Sequence, residues 1–395
     1  MNPALELLQP YPFEKLAQLK AGLSPAAKHH IALSIGEPKH APPAFVVKHL
    51  IEQLGGLSNY PTTKGLLELR SAMAQWATAR FNLQRQPIDP ERQILPVAGT
   101  REALFSFIQA AAQAGPSAKI LMPNPFYQIY EGAALLAGCQ PVFLNCTQAS
   151  NFLPDFDAIS SDTWRDCQVL FICSPGNPTG KIIPLATLQK LIALADEYNF
   201  IIASDECYSE LYYGQKPPGL LEACASLGRT DYRRCVVFHS LSKRSNLPGL
   251  RSGFIAGDAA ILQQYLLYRT YQGCALPVPT QLASQLAWQD ESHVEANRAA
   301  YAEKFATAQA ILSPYIELTP PEGAFYYWLK TPINGEQFTR DFFLSQNVTV
   351  LPGAYLSRLC DGINPGKHYV RMALVAEITE CREACERLRD FLKAG

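Results

Sequence analysis

Hydrophobic positions along the chain follow two alternating patterns. Short unbroken apolar runs, such as Leu170-Phe-Ile-Cys173, Ile201-Ile-Ala and Val236-Val-Phe238, end in turn-forming or charged residues. Runs of this kind suit strands covered on both faces. Between them lie longer stretches that read as helices, among them 104–114, 185–198 and 281–288. The alternation from about residue 45 to residue 280 predicts an α/β body, with a mostly parallel central sheet flanked by helices. Ligands in such sheets sit beyond the C-terminal ends of the strands.

The two ends of the chain read differently. Phe13, Leu16 and Leu19 have the spacing of a short amphipathic helix, and Pro10 and Pro12 prevent a helix before it. This segment is expected to pack as an arm on a dimer, to fold over the site, or both. Ile31-Ala-Leu-Ser-Ile-Gly36 reads as a strand ending in Gly-Glu-Pro. From Gln285 one helical run extends to about residue 313. Strand patterns follow at 320–329, 348–351 and 368–374. We expect a larger domain over 46–284 and a smaller α+β domain from 1–45 with 285–395. A chain of 395 residues is long enough for both.

Composition narrows the classes. Charged residues make up 17% and the formal net charge is −1, so no nucleic-acid or membrane-binding surface is expected. The 11 cysteines are irregularly spaced, and several lie in apolar runs as small buried hydrophobes. Cys381 and Cys385 lack a second pair, so no metal site is expected. Disulfides are not expected either, which fits the reducing cytoplasm. The N-terminus has no basic region followed by an apolar core, and no apolar run approaches the length of a membrane span.

Candidate chemistry clusters at the predicted strand ends. Phe238-His-Ser240-Leu-Ser242-Lys243 places a lysine amine after two serines, with Arg251 eight positions on. A desolvated lysine amine can form a Schiff base with an aldehyde. Serine hydroxyls and an arginine fork suit a phosphate dianion. An aldehyde and a phosphate on one ligand describe pyridoxal phosphate (PLP), although a solvated lysine in a Ser-rich loop is the plain alternative. Asp205 ends the 201–205 run, where a carboxylate can hold a pyridine nitrogen protonated. Tyr208 and Asn177 are candidate partners of the ring oxygen. Gly99-Thr100-Arg101 opens a helix whose free amides suit a phosphate.

The order Asn177, Asp205, Tyr208, Lys243, Arg251, each at a strand end, resembles the class I aminotransferases of PLP fold type I. The resemblance covers nearly the whole chain. It implies that the phosphate lies at Gly99, Thr100, Arg101, Ser240, Ser242 and Arg251. It implies that Tyr60, in Tyr60-Pro-Thr-Thr-Lys-Gly65, reaches the phosphate of the neighbouring subunit of a homodimer; a loop tyrosine capping the next helix is the alternative. Tyr127, or failing it Phe126, would stack on the cofactor ring. Gly36, Asn177 and Arg371 would hold the substrate carboxylate, unless Arg371 is only a strand arginine in a surface ion pair. Lys243, Asp205 and Tyr208 would carry the chemistry. Three strings, Gln9–Leu16, Ser240–Gly253 and Gly323–Trp328, are most similar to the N-succinyldiaminopimelate aminotransferases of bacterial lysine biosynthesis. The implied reaction is transfer from glutamate to N-succinyl-2-amino-6-oxopimelate. Rival readings are an aspartate, alanine or aromatic aminotransferase, a PLP-dependent carbon–sulfur lyase, or a PLP-binding regulator without catalysis.

Overall fold

In the computed structural model, which describes residues 1–394, the apolar runs become strands. These are β1 (Ile31–Ala32), β2 (Ile94–Val97), β3 (Lys119–Asn124), β4 (Gln140–Asn145), β5 (Cys167–Cys173), β6 (Ile201–Asp205), β7 (Cys235–Ser240), β8 (Gly253–Gly257), β9 (Tyr326–Lys330), β10 (Val348–Thr349), β11 (Leu351–Pro352) and β12 (Tyr369–Ala373). The helices used below are α1 (Pro12–Lys20), α2 (Thr100–Ala111), α3 (Leu185–Tyr198), α4 (Leu241–Arg244), α5 (Val278–Gln289) and α6 (Ser292–Leu312).

Strands β2 to β8 form one seven-stranded sheet in the order β2-β8-β7-β6-β5-β3-β4. Neighbours from β7 to β4 pair in parallel, whereas β8 runs against both β7 and β2. Successive residues face opposite sides, as the two-residue period of a strand requires. Val169, Phe171, Val236 and Phe238 join the core under α2, with Leu104 and Phe107. Leu170, Ile172, Cys235 and Val237 join the other core, with Leu188 and Leu191 of α3 and Trp288 of α5. Covering both faces explains why these strands read as unbroken apolar runs.

A second, antiparallel sheet has the order β11-β12-β9, and β1 pairs in parallel with β10. Three expectations need correction here. The strand expected over Ile31–Gly36 pairs over only two residues. Past β1, the Leu33 amide donates to the Thr349 carbonyl (2.8 Å) and the Leu33 carbonyl accepts from the Ala373 amide (2.7 Å). The chain thus crosses from β10 to β12 and joins no single ladder. The strand expected at 348–351 is split for the same reason, since β10 pairs with β1 and β11 with β12. The helical run expected from Gln285 to about 313 is two helices, α5 and α6. Asp290 breaks it by accepting from the His293 amide (3.1 Å) and the Ser292 hydroxyl (2.9 Å), as a capping carboxylate does. The expected division after residue 284 falls inside α5. No helix among the described residues is long and apolar enough to cross a membrane.

Candidate active site

Five strand ends and one strand start meet at one rim of the large sheet. The chain leaves β2 for Gly99, β3 for Tyr127 and β5 for Asn177; β6 ends at Asp205 and β7 leads to Lys243 on α4. Because β8 is reversed, it begins at this rim, with Ser240 opposite Gly253 in register. Arg251, two residues before β8, therefore reaches the same rim. Arg371 arrives from β12 in the second sheet.

Together these residues line a cavity of about 460 Å³. Gly36, Thr100, Arg101, Tyr127, Asn177, Asp205, Tyr208, Ser240, Ser242, Lys243, Arg251 and Arg371 all contribute to its wall. Gly99 lies beneath Arg251: its φ is +84°, and a Cβ there would collide with the Arg251 guanidinium. Glycine is needed for both reasons. Tyr60 is placed elsewhere. It is fully exposed and borders a surface depression with Gly273 and Val278.

Lys243 is half-buried, and its Nζ donates to the Gly36 carbonyl at 2.6 Å. Burial is the main cause that lowers its pKa to about 8, with Arg371 and Arg251 adding to the effect and Cys207 and Glu37 opposing it. The amine therefore gives up its proton far more readily than an ordinary lysine, as a nucleophile or proton acceptor requires. Asp205 is buried and accepts from the Tyr130 hydroxyl (2.6 Å) and the Cys207 amide (3.2 Å). Burial pushes its carboxyl pKa up, against those hydrogen bonds and the nearby His239. A cation placed beside it would restore the carboxylate.

Arg371 is buried. Its Nη1 donates to Asn177 Oδ1 (3.0 Å) and its Nη2 to the Ser34 carbonyl (2.8 Å), while its Nε has no partner. Its setting is thus not that of a surface ion pair. Tyr127 and Phe126 are placed differently. Phe126 stacks on Phe143 in the core (centroids 5.2 Å apart), whereas Tyr127 is half-buried on the cavity wall. Ser240 Oγ accepts from the Ser242 amide (3.1 Å) and keeps its own hydrogen to donate.

The family model described as Aminotransferase class I and II matches residues 28–388. The chain belongs to that family.

Three similar proteins illustrate this aminotransferase's relationships. An aminotransferase from Neisseria meningitidis Z2491 is 46% identical, with all of both chains covered and a TM-score of 0.94. Aminotransferase AspB from Helicobacter pylori 26695 is 34% identical over 98% of this chain and 100% of that one, with a TM-score of 0.91. The LL-diaminopimelate aminotransferase of Syntrophobacter fumaroxidans is 30% identical over 98% of this chain and 97% of its own length.

Aminotransferases of this class use PLP. The residues of this aminotransferase fit such a group. The wall offers a half-buried lysine amine, a buried carboxylate without a cation, and an arginine at a helix N-terminus over a glycine. The unpaired Arg371 Nε is also a buried donor awaiting an acceptor.

Several wall residues went unassigned from sequence. Tyr326 hydrogen-bonds Tyr208 through their hydroxyls (2.7 Å) and lies within the Gly323–Trp328 string. Tyr130, fully buried behind the wall, reaches the site only through its hydroxyl, which donates to Asp205 (2.6 Å). Tyr11 and Phe13 of the N-terminal segment also line the cavity, so that segment does fold over it. Arg101 holds this cover, donating from Nε to the Tyr127 hydroxyl (2.8 Å) and from Nη2 to the Tyr11 hydroxyl (2.6 Å).

Proposed function

We propose that this aminotransferase uses PLP to move the amino group of glutamate to N-succinyl-2-amino-6-oxopimelate, giving N-succinyl-LL-2,6-diaminopimelate and 2-oxoglutarate. The observation that carries transamination is the meeting of the Lys243 amine, the Asp205 carboxylate and the Arg371 guanidinium in one cavity. Bound PLP supplies the electron sink that makes the α-proton of an amino acid removable. Lys243 holds the cofactor aldehyde and, once released, carries the proton away from the substrate Cα. Asp205 keeps the pyridine nitrogen charged. Tyr208 and Asn177 serve the ring oxygen, and Tyr127 the ring face. The phosphate falls to Gly99, Thr100, Arg101, Ser240, Ser242 and Arg251, with Tyr60 contributed by the partner of a homodimer. Gly36, Asn177 and Arg371 take the substrate α-carboxylate, positioning the bond to be broken.

A substrate with a distant carboxylate needs a second cation. Arg101 supports that reading, because with its backbone amide serving the phosphate its guanidinium lies on the cavity wall with only phenol partners. The names of the curated relatives favour a second reading, in which LL-diaminopimelate itself is the amino donor. Initial-rate assays decide between them. Glutamate with the succinylated oxo acid, LL-diaminopimelate with 2-oxoglutarate, and glutamate with oxaloacetate, pyruvate or phenylpyruvate are compared by kcat/KM. A tenfold preference (about 1.4 kcal/mol) for unacylated diaminopimelate or for oxaloacetate overturns the succinyl assignment. Release of ammonia and thiol from a cysteine conjugate marks a lyase. Absence of all turnover in cofactor-loaded protein marks a binding protein. We further propose that the enzyme works in the cytoplasm and that residues 46–284 form its cofactor-binding domain.

A further inference from the structure

Behind the cavity, a line of buried polar groups joins three distant parts of the chain. Asn297, Tyr301 and Lys304 project from one face of α6, at positions i, i+4 and i+7. All three are buried. Lys304 Nζ lies 2.6 Å from His40 Nε2 and 3.4 Å from the Val375 carbonyl, and among the described residues it has no carboxylate partner. His40 Nδ1 lies 2.8 Å from Asn297 Oδ1. Asn297 Nδ2 donates to the carbonyls of Lys243 (3.2 Å) and Arg244 (3.4 Å). Asn246 Nδ2 donates to Asn297 Oδ1 (2.9 Å).

The direction of every bond follows from the chemistry of the ends. Two backbone carbonyls accept only, so the atom of Asn297 facing them is the amide nitrogen. Its oxygen then receives a hydrogen from His40 Nδ1. That leaves Nε2 of a neutral His40 bare, to accept from the Lys304 ammonium. Burial lowers the His40 pKa, with Lys304 adding to the effect and Asn297 and Glu377 opposing it, so the ring stays neutral. The Tyr301 ring lies 4.6 Å from the His40 ring and fixes its plane.

An ammonium buried against neutral acceptors is costly to fold around. Its effect is felt at both ends of the line. At one end, Asn297 satisfies the last carbonyls of α4, which have no partner within so short a helix. That pins the Lys243 backbone and leaves its side chain free. At the other end, His40 lies four residues after Gly36, whose carbonyl receives the Lys243 amine. One line therefore fixes both the turn that carries the amine and the loop that receives it.

We infer that Lys304, His40 and Asn297 form a positioning relay that sets the Gly36–His40 loop against the Lys243 turn and so controls the surroundings of the Lys243 amine. This rests on the reading of Lys243 as the cofactor's attachment point. The groups facing that amine are Cys207, Glu37, Arg251 and Arg371. None belongs to the relay, so the relay acts through position alone.

The test uses cofactor-loaded enzyme and three variants, Lys304→Met, His40→Ala and Asn297→Ala, with His40→Gln as the conservative rescue. Loosening the loop admits water to the amine. The pH midpoint of the bound cofactor's absorbance should then rise by about half a unit to one unit, since burial holds it down. Because displacements of about 1 Å can cost on the order of 100-fold, kcat per bound cofactor should fall roughly tenfold or more. KM for glutamate should change less, and His40→Gln should recover part of the loss. If the midpoint and kcat per bound cofactor stay put while stability or cofactor content falls, the relay is only structural and the inference is overturned. Borohydride reduction and peptide mapping of the unmutated enzyme test the attachment separately. Label on another lysine sinks the reading of the site, whatever the relay variants do.

Discussion

The hydroxyls of Tyr208 and Tyr326 lie 2.7 Å apart in the cavity wall, and both side chains are buried. Burial raises both phenol pKa values, so neither ionises near neutral pH. Of the two hydrogens only one can lie between the oxygens. The other is free for a ligand oxygen. Removing one neutral donor costs about 0.5–1.5 kcal/mol. Tyr208→Phe should therefore weaken cofactor retention roughly 2- to 10-fold, and Tyr326→Phe less. Equilibrium dialysis of the cofactor checks the order.

Arg371→Lys should damage turnover more than folding. A lysine keeps the charge but cannot reach Asn177 and Ser34 together while offering a third donor. With hydrogen bonds to charged groups contributing about 1.5–3 kcal/mol, kcat/KM for glutamate should drop roughly 10- to 100-fold. Cofactor content, read by absorbance, should not change.

Asp205→Asn preserves shape and can still accept from Tyr130, so its melting temperature should stay within a few degrees. Its kcat should fall on the order of 100-fold or more, because the charge developing in the reaction loses its counterpart. Near-normal turnover would remove Asp205 from the mechanism.

Lys243 makes stability depend on pH in the cofactor-free protein. Its folded pKa is about 8, below the 10.5 of an ordinary lysine, so between these values the unfolded chain binds more protons than the folded one. Stability contributed by this group therefore rises as pH climbs through that window. Lys243→Met should gain its largest stability advantage over the parent below pH 8, and the advantage should shrink toward pH 10. Urea titrations of both proteins at three pH values measure the difference directly.

Tyr60 is fully exposed and shares a surface depression with exposed Leu57 and with Pro277 and Val278. An apolar band of this kind fits a face between subunits. Sedimentation should show a dimer. Hybrids of Lys243→Ala with Tyr60→Ala subunits should recover activity in one of the two sites. A monomer at assay concentration, with no recovery, would exclude shared sites.

The rim was legible because its members end apolar runs. Lys243, Asp205, Asn177 and Gly99 each follow a buried strand, and parallel strands place their ends on one side. Arg371 was legible only by resemblance, since a strand arginine carries no local sign of burial. Tyr326, Tyr130 and Ser34 gave no sign, because each acts through a partner far away in sequence. The helical pattern runs straight through Asp290, although a carboxylate three residues before His293 can cap the helix that follows. The apolar pattern at Ile31–Gly36 overstates β1, because extended backbone does not reveal where its hydrogen bonds go.

The reversal of β8 has a kinetic corollary. Lys243 and Arg251 lie in the connection of a single hairpin, β7–β8, with five residue pairs in register. With the roles proposed above, the two ends of the cofactor depend on the same local unit. Opening of that hairpin exposes both groups at once, so cofactor loss and amide exchange over residues 235–257 should share one rate. Added cofactor should slow exchange across the whole segment together, including amides at the far end of the sheet that no ligand touches.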